Sequence, residues 1–162
     1  MASSKPNEQT VTALVENKAG VLARVVGLFA RRGFNISTLA VAPTQDERFS
    51  RITFVYDVGS APVEQVLSQV GKLINVLHVE ALDPSKSVER ELLLVTVKTG
   101  EGAPRVGELV AQFGARIVDR SDEAMTIMLA DHPERLDELE SQVADQGILA
   151  VQRTGRIALP LA

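Results

Sequence analysis

The sequence has no cysteine and no tryptophan, and it has one tyrosine and five phenylalanines among its 162 residues. Without cysteine the chain cannot form a disulfide, a thiolate metal site, a thiol nucleophile or an iron–sulfur cluster. An excess of positive charge is also missing, because 17 Lys and Arg residues stand against 21 Asp and Glu residues, for a net charge of -4. Since little positive charge and few aromatic rings are available for phosphates and bases, we expect no nucleic-acid partner.

Long apolar runs are equally absent, and no stretch approaches the roughly 20 residues that a membrane-spanning helix needs. Residues 1–9 are polar and lack the apolar core of a secretory signal, so we interpret them as a flexible tail. With 45% hydrophobic and 23% charged residues, the composition is that of a soluble globular protein. We therefore expect a cytoplasmic protein with no membrane contact.

The first half of the chain alternates between strand and helix patterns. A β-branched strand over Thr10–Glu16 ends in turn-forming residues, and an apolar helix face follows as far as Gly33. Two strands at 35–44 and 49–58 frame a polar turn and predict a β-hairpin. A second helix and a strand over 75–82 complete the order β-α-β-β-α-β, which is typical of a ferredoxin-like fold.

The same order repeats in the second half, after a cluster of linker-type residues. Helices that end at Gly114 and Gly147 alternate there with four strand patterns, the last of which runs over 148–159. The sequence therefore predicts an α+β protein of two consecutive ferredoxin-like βαββαβ domains. The predicted boundaries are a flexible tail at 1–9, a first domain at 10–83, a linker at 84–87 and a second domain at 88–162.

A sheet that carries helices on one face only leaves its other face bare. We assign Leu39, Val41 and Val55 to that bare face or to its edge. An exposed apolar sheet surface of this kind favours self-association, and pairing two sheets edge to edge about a two-fold axis would also remove unpaired strand edges. We therefore expect a homodimer.

Catalytic constellations are hard to find in this sequence. His78 and His132 stand alone, without a placed carboxylate that would make either one a general base. A metal site of Asp131, His132 and Glu134 is conceivable, but its spacing fits no common ligand pattern. The glycine pair around residue 101 lacks the third glycine of a dinucleotide fingerprint, and we interpret it as a loop, with anion binding as the alternative. We predict no catalytic and no metal-binding residues.

The passage from the first strand into the first helix is the most informative segment. Backbone N–H groups at a helix start, reinforced by the helix dipole, can bind a small carboxylate, and Gly20 allows close approach to the backbone. The side chains of Asn17 and Asn35 offer amide donors and acceptors, and Val21, Leu22 and Ile36 supply apolar neighbours. Together these groups complement a free aliphatic α-amino acid. The alternative is that Asn and Gly form only a cap and a tight bend.

This segment, Asn17-Lys18-Ala19-Gly20-Val21-Leu22, followed by RRGFNI at 31–36, resembles the ACT domain, an amino-acid-sensing module of βαββαβ order. More closely, the stretch VVGLFARRGFNISTLAVAPT at 25–44 and the segments at 49–53, 72–76 and 88–92 resemble the small regulatory subunit of acetohydroxyacid synthase, also called acetolactate synthase. The resemblance extends from about Thr10 to Ala158 and keeps its separate motifs in order.

The resemblance implies a non-catalytic subunit that activates a large catalytic subunit and confers feedback inhibition by valine or another branched-chain amino acid. The large subunit is expected to hold thiamine diphosphate, magnesium and FAD, and this chain is expected to hold no cofactor. Family effector sites lie between two ACT domains, which implies that the turn of one chain meets the start of the second strand of its partner. The implied effector-binding residues are Asn17, Lys18, Ala19, Gly20, Val21, Leu22, Asn35 and Ile36.

Two other classes of function stay open at this stage. The chain could be a stand-alone ACT-type regulator of another enzyme or of a transcription factor, although it has no helix-turn-helix pattern. It could also be a small ferredoxin-like enzyme that acts alone, although no base–nucleophile pair is visible. A preference for branched aliphatic over aromatic amino acids would favour the synthase subunit over the stand-alone regulator.

Overall fold

The computed structural model of the chain describes residues 7–100 and 102–162. These residues form two compact units. The first unit contains residues 7–89 together with Gly155–Ala162, and the second contains Arg90–Thr154. Among the described residues, none of the helices combines the length and the apolar character that a membrane span requires.

The first unit is an antiparallel sheet of strand order β2-β3-β1-β4 with helices packed on one face. Its central strands pair over their whole length, from Glu8 opposite Asp57 to Glu16 opposite Phe49. This is the predicted β-α-β-β-α-β order. The elements are β1 (Glu8–Glu16), α1 (Val21–Arg32), β2 (Ile36–Pro43), β3 (Phe49–Asp57), α2 (Val63–Gly71) and β4 (Val76–Ala81).

Helix α1 buries one apolar face and ends at a glycine. Val25 and Phe29 lie four residues apart, so both side chains point to the sheet, and both are almost fully buried. Gly33 adopts a left-handed φ of 68°, its N–H donates to the carbonyl of Ala30, and the N–H of Phe34 donates to the carbonyl of Phe29. A residue without Cβ adopts this conformation at no steric cost, which explains why the helix stops there.

Aromatic rings fill the centre of the first core. The ring of Phe29 makes edge contacts with the rings of Phe54, Phe34 and Tyr56, at centroid distances of 4.9, 5.7 and 6.4 Å. Edge-to-face pairs of this kind contribute about 0.5–1.5 kcal/mol each beyond their buried area. Burial also raises the pKa of Tyr56, because the phenolate is poorly solvated there.

The second unit repeats this plan with a different core. Its sheet has the strand order β6-β7-β5-β8. Its core is mainly aliphatic, with Leu93, Leu109, Ile127 and Leu136 fully buried and Phe113 at one side. The elements that carry this core are β5 (Ser87–Lys98), α3 (Ala103–Phe113), β6 (Arg116–Arg120), β7 (Ala124–Asp131), α4 (Pro133–Val143) and β8 (Ile148–Arg153). The two consecutive ferredoxin-like units predicted from the sequence are confirmed.

The end of the chain differs from the prediction. The sequence suggested one strand over 148–159, but β8 ends at Arg153 and a separate strand, β9 (Ile157–Pro160), pairs with β5. Gly155 breaks the strand with a left-handed φ of 82°. Residues 155–162, which the sequence placed in the second domain, therefore group with the first unit.

Arg156 holds this closing segment on the first unit. Its guanidinium contacts the carboxylates of Glu89 and Glu8 at 3.2 and 3.7 Å, and it donates to the hydroxyl of Thr10 at 3.2 Å. The side chains of Arg156 and Glu8 are each only 13% exposed. Truncating one partner of such a nearly buried charge cluster is destabilising, because the other charges are left without their counter-ion.

The other end of the chain is also more ordered than predicted, within the described residues. Strand β1 begins at Glu8, so Glu8 and Gln9 of the predicted tail belong to the sheet. The side-chain amide of Gln9 donates to the carbonyl of Leu82, which directly follows β4. Residues 1–6 of the predicted tail lie outside the described residues. The predicted linker contains a short 3-10 helix at Pro84–Lys86, followed directly by β5.

The side of the first sheet opposite the helices is less bare than the sequence suggested. Val55, Thr12 and Thr53 point to this side, yet each is at most 3% exposed. Leu39, by contrast, lies on the edge strand and packs against the helix-side core, and Val41 lies two residues further along and is 46% exposed. The assignment of Val55 to a bare surface is therefore wrong, whereas the edge position of Leu39 and Val41 is confirmed.

Candidate functional site

The turn between β1 and α1 is shaped by Gly20. This residue immediately precedes the helix and adopts a left-handed φ of 84° and ψ of -9°. A Cβ added at this position would meet no other atom within 4 Å, so the space in front of the turn is open. Glycine is required here because of the left-handed backbone conformation. Since it has no side chain, a ligand has room to approach the backbone.

The start of α1 carries unused hydrogen-bond donors. The N–H of Val21 donates to the carbonyl of Lys18, and the regular helical bonds begin with the N–H of Arg24, which donates to Gly20. The first-turn N–H groups of Leu22 and Ala23 precede that bond and therefore lack an intrahelical acceptor. No described side chain caps this end of α1, and its first turn has no acidic residue. Such a helix start is suited to an anion, and the anion site suggested by the sequence stays a prediction.

Asn17 makes hydrogen bonds within the chain that the sequence did not suggest. Its side-chain Nδ2 donates to the carbonyl of Glu47 at 2.9 Å, and its backbone N–H donates to the carbonyl of Arg48 at 2.7 Å. Both acceptors lie in the turn between β2 and β3. The amide group thus ties two turns together and retains its oxygen as the group available to a ligand.

A charged network that the sequence did not predict surrounds the same turn. The carboxylate of Glu16 contacts Nζ of Lys18 at 3.1 Å through Oε1 and accepts a hydrogen bond from the amide of Asn75 through Oε2. Asn75 in turn accepts a hydrogen bond from the guanidinium of Arg24 in the first turns of α1. The hydrogen bonds from Asn75 and then Lys18 lower the pKa of Glu16, so its carboxylate is ionised at neutral pH.

Asn35 and Ile36 lie far from this turn within one chain. Ile36 is opposite Tyr56 on β3, and Tyr56 is opposite Gln9 near the start of β1. The turn follows Glu16 at the other end of β1. At about 3.3 Å per residue, the two ends of this strand are separated by roughly 20 Å. The structure therefore brings the predicted residues of segment 17–22 together and leaves Asn35 and Ile36 at the opposite end of the sheet.

The second unit contains a matching turn between β5 and α3. The side-chain hydroxyl of Thr99 donates to the carbonyl of Asp122 at 2.6 Å, and its backbone N–H donates to the carbonyl of Glu123. These two bonds reproduce those of Asn17 in the first unit. The N–H of Lys98 donates to the carbonyl of Gly147, as the N–H of Glu16 donates to Asn75. Lys98 and Gly147 thus occupy the positions of Glu16 and Asn75.

The histidines that the sequence singled out take part in local structure. Nδ1 of His132 accepts the N–H of Glu134 at 3.4 Å and so caps the start of α4. The neighbouring Asp131 accepts the N–H of His132 and pairs with Arg135 at 2.8 Å. His78 lies on β4, 3.5 Å from a carboxylate oxygen of Glu80. Among the residues that the structure describes, no group of three potential ligands is arranged to hold a metal ion.

Glu16, Asn75 and Arg24 are the residues that sequence reasoning missed at this site. Glu16 closes the predicted strand, and Asn75 opens the predicted strand β4, so both were interpreted as strand ends. Their proximity depends on the pairing of β1 with β4, which joins residues about 60 positions apart. Only their position at strand ends next to a turn could have drawn attention to them.

Comparison with known families also divides the chain into two consecutive parts. A model for the AHAS small subunit-like ACT domain matches residues 11–78, and a model for the small subunit of acetolactate synthase matches residues 90–161. Together the two models cover most of both compact units. The first of them includes the whole segment from Asn17 to Ile36.

Individual relatives match over nearly the whole chain. The acetolactate synthase small subunit of Mycolicibacterium smegmatis is 40% identical over 98% of this chain and 94% of its own length. A probable acetolactate synthase small subunit of Archaeoglobus fulgidus is 41% identical over 94% of this chain and 96% of its own. The crystal structure of the small subunit from Thermotoga maritima superposes with a TM-score of 0.87 at 32% identity, covering 96% of this chain and 98% of the other.

Proposed function

Because the chain belongs to the acetolactate synthase small-subunit family, we propose that it activates a large catalytic subunit and makes that subunit sensitive to valine. As a small subunit it is a regulatory partner, and branched-chain amino-acid biosynthesis is its setting. The observation that supports an amino-acid effector is the uncapped start of α1 behind Gly20, with unused N–H donors and an open approach. We place this subunit in the cytoplasm, without membrane or nucleic-acid contact.

The chemistry of acetolactate formation belongs, in this proposal, to the large subunit. Thiamine diphosphate, magnesium and FAD are bound there, and the large subunit condenses pyruvate with a second 2-oxo acid. The present chain contributes binding surfaces and an effector site. Near the turn, the side chains of Lys18 and Asn75 both contact the carboxylate of Glu16. These side chains are not arranged as a base and a nucleophile.

A homodimer through the first unit would complete the effector site. Helix α1 exposes Leu22 and Val26 one turn apart, at 36% and 38%, although both are large apolar residues. Helix α2 packs along β4, so α1 lies toward the opposite edge of the sheet. At that edge no described strand pairs with the outer side of β2, and Val41 is exposed. A second copy fits this combined edge because it covers apolar side chains and extends the sheet.

The two-fold axis of such a dimer explains the separation of the predicted residues. In an antiparallel arrangement of two β2 edges, the turn of one protomer lies near the start of β2 of its partner. Asn35 and Ile36 of one chain then face Gly20 and its neighbours from the other. The roughly 20 Å between them within one chain is therefore compatible with a shared site at the interface.

Valine can regulate the enzyme only if it binds one arrangement of the subunits more tightly than another. A ligand held by residues of both protomers depends on how the protomers are arranged, so it meets this condition. We expect valine to stabilise one geometry of the dimer and thereby change its interaction with the large subunit. A coupling free energy of about 1–3 kcal/mol is typical of such effects.

The function is tested by reconstitution with the large subunit. The two subunits are mixed, and acetolactate formation is measured with and without valine, with phenylalanine as the control amino acid. We expect higher activity with the small subunit than without it, and inhibition by valine but not by phenylalanine. An unchanged activity in the presence of this chain would refute the proposal.

The shared site has a sharper test, which uses two defective variants. Gly20→Asp removes the turn side of the site, and Asn35→Ala removes the partner side. In mixed dimers one site carries both defects and the other carries neither, so about one quarter of all sites are restored when the variants are mixed equally. Recovery of valine binding in the mixture, measured by calorimetry, supports the interface. If the mixture binds no more valine than either variant alone, the site lies within one chain.

A further inference from the structure

The carboxylate of Glu16 already binds an ammonium group. Nζ of Lys18 lies 3.1 Å from Oε1, and the two side chains are 66% and 33% exposed, so the contact is open to solvent. An ion pair between exposed side chains contributes little stability and exchanges readily. The contact with Lys18 therefore shows that Glu16 can bind an ammonium group, and that this group can be exchanged for another.

A free α-amino acid brings both an anion and a cation to the turn. The unused N–H groups at the start of α1 suit its carboxylate, but the ammonium requires an acceptor nearby. Asn17 offers one neutral oxygen, since its Nδ2 donates to Glu47. Glu16 adjoins Asn17 in the chain and carries the negative charge, and hydrogen bonds that involve ionised groups are about twice as strong as neutral ones.

The orientation of this carboxylate is fixed by a second layer of hydrogen bonds. The amide of Asn75 donates to Oε2 of Glu16, and Asn75 is itself held by the guanidinium of Arg24. Among the residues that the structure describes, Oε1 accepts only from the exchangeable Lys18, so it is the oxygen that a ligand can use. Asn75 is thus a positioning residue for Glu16.

The second unit provides an internal comparison. Its backbone makes the same hydrogen bonds at the end of β5, but Lys98 stands in the place of Glu16 and Gly147 in the place of Asn75. The fold itself therefore requires neither the carboxylate nor the amide. Their presence in the first unit calls for an explanation other than folding, and recognition of a cation supplies one.

We propose that Glu16 is the acceptor for the ammonium group of the effector, and that Lys18 is a resident cation which the effector displaces. The inference rests on the proposed function, because it assigns a residue to the same effector site. It also predicts selectivity, since acids without the amino group cannot replace Lys18 on Glu16. Such ligands bind through the carboxylate and the apolar groups alone.

The test compares valine with 3-methylbutanoate, which has the same carbon skeleton and no amino group. Binding of both to the full-length chain is measured by calorimetry for the unmodified protein and for Glu16→Gln, which retains an oxygen for Asn75. We expect the unmodified protein to prefer valine by about tenfold or more, because a charged hydrogen bond is lost with the analogue. In Glu16→Gln this preference should disappear.

A second variant has the opposite effect and does not disturb the acceptor. Lys18→Met removes the competing cation, so the dissociation constant for valine should fall by about threefold, the modest gain expected from freeing an exposed ion pair. Lys98→Met is the matched control, because it removes the same charge from the equivalent strand end of the second unit. It should leave valine binding unchanged.

The possible outcomes separate this inference from the proposed function. Valine binding with equal affinity to Glu16→Gln and to the unmodified protein overturns the role of Glu16 and leaves the effector site standing. Weaker valine binding by Lys18→Met also overturns the inference, because Lys18 would then be a ligand contact rather than a competitor. An unmodified chain that binds no valine overturns the proposed effector site together with this inference.

Discussion

The junction between the first strand and the first helix has the same backbone hydrogen bonds in both units but different side chains. In both, the residue after the strand donates its N–H and a side-chain hydrogen bond to the hairpin turn, as Asn17 and Thr99 show. Both first helices end at a left-handed glycine, Gly33 or Gly114, with the same pair of backbone bonds. These shared features belong to the fold and carry no information about a ligand.

The two junctions differ at the end of the strand and at the start of the helix. Gly20 is left-handed at the start of α1, whereas Gly102 at the start of α3 has an ordinary helical φ of -79°. Pro104 in the first turn of α3 removes one N–H donor that α1 retains. With Lys98 in the place of Glu16, the second unit has one first-turn N–H donor fewer, and it has a cation where the first unit has its acidic acceptor. Gly20, the first-turn N–H groups of α1 and Glu16 are therefore the groups of the first unit that we assign to recognition.

The largest effect is expected from Gly20→Asp. Its carboxylate would occupy the start of α1 and accept the N–H groups that we assign to the effector, so the half-inhibitory valine concentration should rise about 100-fold or more. The reconstituted acetolactate assay measures this value. Ala103→Asp adds the same charge to the first turn of α3 and should have no effect on valine.

Gly20→Ala separates charge from backbone strain at this position. Its Cβ meets no atom within 4 Å, but the left-handed conformation costs about 1 kcal/mol for a residue with a side chain. Because this strain disfavours the turn conformation that we assign to effector binding, valine binding should weaken by at most about a few-fold. If Gly20→Asp is as valine-sensitive as the unmodified protein, the start of α1 is not the effector site.

Gly155→Ala should destabilise the first unit selectively. Its φ is 82°, and a Cβ would lie 2.9 Å from the carbonyl oxygen of Leu39, so we expect a loss of about 2–3 kcal/mol from strain and steric conflict. Gly114→Ala has a similar φ of 67° but meets no atom within 4 Å, and should cost the second unit about 1 kcal/mol.

Tyrosine fluorescence during urea unfolding distinguishes the two glycine variants, because Tyr56 is the only tyrosine in the sequence and lies in the first core. The tyrosine transition should shift to lower urea in Gly155→Ala and stay in place in Gly114→Ala. Equal shifts in both variants would mean that the closing segment does not stabilise the first unit.

Asn17→Ala and Thr99→Ala test the shared turn contacts directly. Each removes one side-chain hydrogen bond to a hairpin carbonyl, so each should cost about 0.5–1.5 kcal/mol of stability. Asn17→Ala should also weaken valine binding severalfold by calorimetry, whereas Thr99→Ala should leave it unchanged. Equal binding by both variants would restrict Asn17 to a purely structural role.

The smallest effect concerns the hairpin turn that Asn17 contacts. Hydrogen bonds from Arg48 lower the pKa of Asp46 from its ordinary value of 3.8 to about 2. A carboxyl group whose pKa is lower in the folded state stabilises the fold above the unfolded pKa and loses this contribution as the pH falls to the folded pKa. Asp46→Asn should therefore be slightly less stable than the unmodified protein at neutral pH.

The stability difference between Asp46→Asn and the unmodified protein should narrow as the pH falls from 3.8 toward about 2. Urea unfolding at a series of pH values measures it. The side chain of Arg48 is 79% exposed, so added salt should also reduce the difference. A difference that is constant with pH would exclude an ionic contribution from Asp46.

Much of this fold was predictable because it is encoded locally. The spacing of Val25 and Phe29, and the glycine at 33, are sufficient to define α1 and its end. The turn with Gly20 was recognisable for the same reason. The network of Glu16 with Asn75 was not predictable, since the two residues are 59 positions apart and meet only through the pairing of β1 with β4.

The sequence by itself determined the order of elements as far as β8, the two apolar cores and the turn that precedes α1, because each depends on neighbours within a few residues. Only the tertiary structure decided that residues 155–162 join the first unit, and that Glu16 and Lys98 occupy equivalent positions with opposite charge. Both follow from contacts between distant segments, such as that of Arg156 with Glu8, which local periodicity does not specify. Strand pairing decides which residues from distant parts of the sequence come into contact, and the chemistry of the site depends on those contacts.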